Sequence, residues 1–239
     1  MVNLTGPSDA RTGGPSATDA RDDRSDNSHR QLIGYIGLAL PLILVLIAAL
    51  RPADPIERWK ILGSISAYYY TGAVAAFVGM LVALALFLIT YRGYDNKYGR
   101  IDRAAAITAG CAALLVAFFP AEAPDGFDKL SWWTPANRNI HYLSAVVLFA
   151  MFAVFSLWLF RLEGSIHPSA DKRVRSRIYM GCGITILISM AWAGVAGIND
   201  RPIFLPESIA LAAFALSWLV KGRAHKTIAK AVRETLSDE

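Results

Sequence analysis

Residues 71–90 read TGAVAAFVGMLVALALFLIT, twenty consecutive positions without a charged side chain. A helix of that length rises about 1.5 Å per residue and covers the roughly 30 Å hydrocarbon thickness of a bilayer. Outward from this stretch, further apolar runs occupy 31–50, 104–119, 140–160, 178–198 and 202–220. Over all 239 residues, 54% are hydrophobic and only 18% charged, with a mean hydropathy of +0.38. Such a balance excludes a disordered chain and an ordinary cytosolic domain. The expected fold class is all-α: a polytopic membrane protein, built as a bundle of six transmembrane helices.

Every Lys and Arg lies outside the six runs, so their distribution reports on direction. Eighteen of the 24 fall in the amino-terminal tail, the second and fourth connections and the carboxyl-terminal tail; the other six, Arg51, Arg58, Lys60, Lys129, Arg138 and Arg201, fall in the first, third and fifth connections. This alternation predicts both termini on the cytoplasmic side of the cell (inner) membrane. It also explains the pI near 9.3 without nucleic acid, since basic cytoplasmic loops meet anionic lipid headgroups.

The expected organisation is a disordered cytoplasmic tail over 1–28, a six-helix transmembrane domain over 29–222 and a short amphipathic cytoplasmic tail over 223–239, where Ile228, Val232 and Leu236 recur every four residues. The first tail lacks the apolar core and cleavage site of a signal peptide, so the first span is expected to stay as an uncleaved anchor. Asp54, Pro55 and Glu57 carry the pattern of a short interfacial helix in the first loop. Cys111 and Cys182 are expected to be free, buried thiols.

Helices in lipid gain from close backbone approach. Ala75, Gly79 and Ala83, Ala106 and Gly110, and the four glycines Gly181, Gly183, Gly194 and Gly197 therefore predict small-residue contact stripes. Pro41 is expected to kink the first helix. Tyr68, Tyr69, Tyr70, Trp132, Trp133 and Tyr142 read as an outer aromatic belt, and Tyr91, Tyr94, Tyr98, Trp158, Tyr179 and Trp218 as an inner one.

No ionisable residue occupies the centre of any run, which argues against a proton relay through the membrane. Polar groups gather instead at the outer ends. Ser64, Ser66 and Tyr69 precede the second run; Glu122, Asp125 and Asp128 lie in the third loop; His141 and Ser144 sit one turn apart; Asp200 closes the fifth run, and Glu207 follows Pro206 in the sixth. Glu207 either faces a cavity inside the first turns of its helix or caps a helix that begins at Pro206.

Three functions are compatible with this face. The leading one is binding of a small molecule or lipid headgroup in an outward-facing polar vestibule, with Ser64, Ser66, Tyr69, His141, Ser144, Asp200 and Glu207 as candidate ligands. A second is an outer-leaflet lipid hydrolase or transferase using His141 with a serine or a metal, and a third is a small-solute facilitator or channel. No cofactor is expected. Were a divalent metal present, zinc would suit His141 and Glu207, but the chain has no HxxxH or HExxH spacing.

The stretches SISAYYYTG (64–72), FVGMLVALALFLITYRGYD (77–95), AGCAALLVAFFPAE (109–122), IHYLSAVVLFAMFAVFSLWLF (140–160), IYMGCG (178–183) and PESIALAAFALSWLVKG (206–222) occur in one order. Together they resemble uncharacterised bacterial six-span integral membrane proteins of the domain-of-unknown-function 998 type. The resemblance implies a single-domain bundle with Ser64, Ser66, Tyr69, His141 and Glu207 at motif positions, and it implies no reaction, substrate or cofactor. The chain departs from the zinc-dependent ceramidases and hormone-receptor-like membrane hydrolases, whose late HxxxH helix and seventh span it lacks.

Overall fold

The computed structural model describes residues 17–51, 59–93, 97–162 and 170–223. Among the described residues the protein is all-helical, with no strand. Helix α1 spans Ala17–Leu50, α2 Val74–Thr90, α3 Gly99–Phe118, α4 Pro135–Leu157, α5 Ala170–Ile198 and α6 Phe204–Lys221. Five of them, all but α2, are long and apolar enough to cross a membrane; α2 is a shorter apolar helix. Residues 71–73 of its apolar run form a turn instead. The Thr71 hydroxyl donates to Tyr68 O at 2.8 Å and accepts the Ala73 N–H at 3.0 Å, a local bond that competes with helix. A 3-10 turn, Ser66–Tyr70, precedes it.

Successive helices run up and down, each packing on the next, and α6 returns to pack on α1. The core at their centre is aromatic at one end. Phe152 and Phe214 stack with centroids 3.5 Å apart, and the fully buried Trp218 meets the rings of Tyr91, Phe155 and Phe160 edge-on. A hydroxyl chain crosses from α4 to α6, Ser156 donating to Ser217 at 3.0 Å and Ser217 to Phe214 O at 2.8 Å.

Several expectations need correction. Residues 17–28, read as part of a disordered tail, are helical: α1 starts at Ala17. Extending an anchored helix fixes one residue per hydrogen bond gained, so the polar segment needs no nucleus of its own. The Asp26–Arg30 pair at 3.8 Å adds a contact one turn apart. Residues 1–16, the proposed loop helix at 54–57 and the amphipathic segment 226–236 lie outside the described residues.

The stripe of Ala75, Gly79 and Ala83 does not make the α2–α3 contact. Ala75 and Gly79 are exposed, and a Cβ on Gly79 would meet nothing within 4 Å; the same holds for Gly181, Gly194 and Gly197. Close approach is made at Gly110, whose added Cβ would lie 2.8 Å from Ala85 O, and at Gly183, where it would strike Leu157. Cys111 is exposed on α3 and only Cys182 is buried. Tyr68, Tyr91, Tyr179 and Trp218 are buried rather than belted, because their rings pack on other aromatic rings, Tyr91 on Trp218, Tyr179 on Phe160 and Tyr68 on Phe204. Burial, and the nearby Asp102 carboxylate after it, raise the Tyr91 phenol above its ordinary value.

Candidate functional site

The first loop and the start of α6 hold each other by their backbones. Gly63 O accepts the N–H groups of Ile203 at 2.6 Å and Phe204 at 2.9 Å, closing the amino-terminal turn of α6. In return Glu207, in the first turn of α6, accepts the Ile65 N–H at 2.7 Å. The helix thus begins at Phe204, and Glu207 both serves the helix start and faces a cavity. The loop then bends into the 3-10 turn, where Ser64 Oγ accepts the Ala67 N–H at 3.0 Å.

Ser66 Oγ lies 2.7 Å from Nε2 of His141, although the two are 75 residues apart in the chain. The other ring nitrogen, Nδ1, is 2.7 Å from the carbonyl oxygen of Phe119. A carbonyl only accepts, so Nδ1 carries the proton; in the neutral ring Nε2 is then the acceptor and the Ser66 hydroxyl the donor. The Phe119 carbonyl was not legible beforehand. Its signal is Pro120, which ends α3 and leaves the last-turn carbonyls free for other donors.

The loop after α3 is tied down around that carbonyl. Tyr70 donates its O–H to Ala121 O at 2.7 Å, and Trp133 donates its indole N–H to the same oxygen at 3.0 Å. Burial chiefly, with smaller effects of Tyr69, Glu122 and Tyr142, pushes the Tyr70 phenol up to about 12, so it keeps its proton. Glu122 takes hydrogen bonds from Lys129 at 2.8 Å and Arg138 at 3.1 Å, which hold its carboxyl below the usual value. Both pairs are solvent-exposed and contribute little to stability.

A cavity of about 430 Å³ opens beside these groups. Ser64, Ser66, His141 and Glu207 form its polar end, with Glu122 and Tyr142 at the margin, and residues of α4, α5 and α6 form its apolar wall. Three candidates stand elsewhere. Tyr69 packs on Tyr70 and Phe77; Ser144 is buried between helices, about 60° around α4 from His141, since three residues turn a helix about 300°; Asp200 is exposed in the turn after α5, at φ 53°. Ser189, not singled out from the sequence, also lines the cavity. Among the described residues no group of three or more His, Cys, Asp or Glu side chains gathers as for a metal. The zinc candidate His141 has both ring nitrogens engaged by Ser66 and Phe119.

Apolar helices of membrane-crossing length around a cavity with one polar end define a protein of the multi-pass membrane class. Residues 78–217, more than half of the chain, match the model of a family of unknown function, DUF998, and the chain belongs to that family. His141 and Glu207 fall inside the matched segment, Ser64 and Ser66 before it. No curated protein and no solved structure matches the chain.

Proposed function

We propose that the protein crosses the inner membrane six times with both termini cytoplasmic, and binds a lipid whose headgroup occupies the polar end of the cavity, in an outward-facing vestibule. The observation that carries this reading is the cavity itself, with Ser64, Ser66, His141 and Glu207 at one end and an apolar wall at the other. A soluble small molecule would leave that wall wet. The α2 run counts as the sixth span together with the turn before it, and the basic connections then face anionic headgroups on the cytoplasmic side.

Native mass spectrometry of the detergent-solubilised protein is expected to show one retained lipid, displaced in an Ala145→Phe variant that fills the apolar wall. Wild-type protein emerging bare, or equal retention in the variant, would refute the binding reading. Direction is checked separately. A cysteine placed at Asp128, with Cys111 and Cys182 replaced by serine, is expected to react with an impermeant maleimide on intact cells; reaction only after permeabilisation reverses the orientation.

A further inference from the structure

We infer that the site is an acyl-transfer centre in which Ser66 is the nucleophile and His141 its general base, acting on an ester of a long-chain acyl group. The inference rests on the proposed lipid site and goes beyond it. Its first support is geometric: the Ser66 hydroxyl is within 2.7 Å of Nε2, and the Phe119 carbonyl, at 2.7 Å from Nδ1, fixes the tautomer that leaves Nε2 free to take a proton. A backbone carbonyl here has the positioning role that a carboxylate has in a triad. It orients the ring and lends partial negative charge to the imidazolium, which favours slow turnover over fast.

The second support is location. His141 is only 1% exposed, so its ring cannot swing into solvent, whereas Ser66 is partly exposed and lines the cavity. The bond satisfies a buried ring nitrogen, as any buried histidine requires; what makes the pair available for chemistry is that its hydroxyl partner stands on the cavity wall.

The third support is the shape of the apolar wall. Ala145 and Phe149 of α4, Met190 and Ala193 of α5 and Ala210 of α6 line it, and Val146, also lining, is 56% exposed. The cavity is thus not closed off at this wall. A chain from the surrounding leaflet has a lateral way in, with its ester bond arriving at Ser66.

The chemistry balances without a metal or redox partner. Ser66 Oγ bonds to the ester carbonyl carbon as its proton passes to Nε2 of His141. The carbon–oxygen bond to the alcohol breaks, and the leaving oxygen takes the proton from Nε2, giving an acyl-serine. Water, or a second alcohol, then attacks the acyl carbon and gives its proton to Nε2; the Ser66 oxygen leaves and recovers it.

The test uses the full chain in lipid nanodiscs with a long-chain alkyl fluorophosphonate, which forms a stable adduct with an activated serine. Peptide mass spectrometry is expected to place the adduct on Ser66, to lose it in Ser66→Ala, and to show labelling slowed at least a hundredfold in His141→Gln at matched thermal stability. Labelling of the wild type should fall as pH drops and the imidazole is protonated, a dependence that a merely structural serine lacks. Lipid retained in native mass spectra with no adduct on Ser66 overturns the acyl-transfer inference alone. Absence of bound lipid with Ser66 still labelled overturns the binding proposal instead. Adduct formation unchanged in His141→Gln removes the base from the inference and overturns it as stated.

Discussion

Glu207→Ala is expected to reduce lipid retention about tenfold or more and to loosen the segment that carries Ser64 and Ser66. The carboxylate accepts the Ile65 N–H at 2.7 Å, one residue before Ser66, while its own helix is closed by Gly63 O. Leaving a buried donor without its acceptor costs about 1–3 kcal/mol, and about 1.4 kcal/mol is a factor of ten in an equilibrium. The alanine variant leaves the amide without its acceptor. Glu207→Gln keeps an acceptor oxygen and is expected to fall between the two. Lipid occupancy by native mass spectrometry, read beside hydrogen exchange at the Ile65 amide, checks both halves. Unchanged occupancy together with unchanged exchange in the alanine variant would mean that this carboxylate positions nothing.

Gly110→Val is the second large effect, and it acts on the scaffold. A Cβ at Gly110 would sit 2.6 Å from Cγ1 of Ile89 and 2.8 Å from the Ala85 carbonyl oxygen, and the latter is backbone that cannot rotate away. Overpacking of this kind costs about 1–3 kcal/mol, which for a chain of this size lowers the apparent Tm by about 5 °C. The control is Gly79→Val on α2, where nothing lies within 4 Å and no comparable shift is expected. Thermal unfolding of both variants in one detergent decides the matter. If the two melt alike, the close α2–α3 approach at Gly110 is wrong.

The apolar runs were legible because each reflects a demand that lipid makes on every residue in it, and each run is helical nearly throughout, with a local bond breaking the pattern at Thr71, while α1 and α5 begin well ahead of their runs, at Ala17 and Ala170. The polar start of α1 carries no such mark. Its helicity comes from the apolar anchor after it, and composition alone reads it as a tail. At the site, the sequence singled out Ser66, His141 and Glu207 as residue types at helix ends, but a pairing across 75 residues is a property of packing. Helix rotation likewise separates His141 from Ser144, whereas Ala145, one position on, faces the cavity. Small residues misled for a related reason: on an isolated run Gly79 and Gly110 look the same, and only the partner helix distinguishes them.

Because α6 packs on α1 as each helix packs on its successor, the bundle is a closed ring, and no helix has one flank left over. The clasp is specific at one end, where the Gln31 amide donates to Gly222 O at 2.7 Å. Covalent order and spatial order are therefore separable in this protein. A break in any single connection leaves all six helix interfaces in place, and the helices would keep their neighbours without the backbone that joined them.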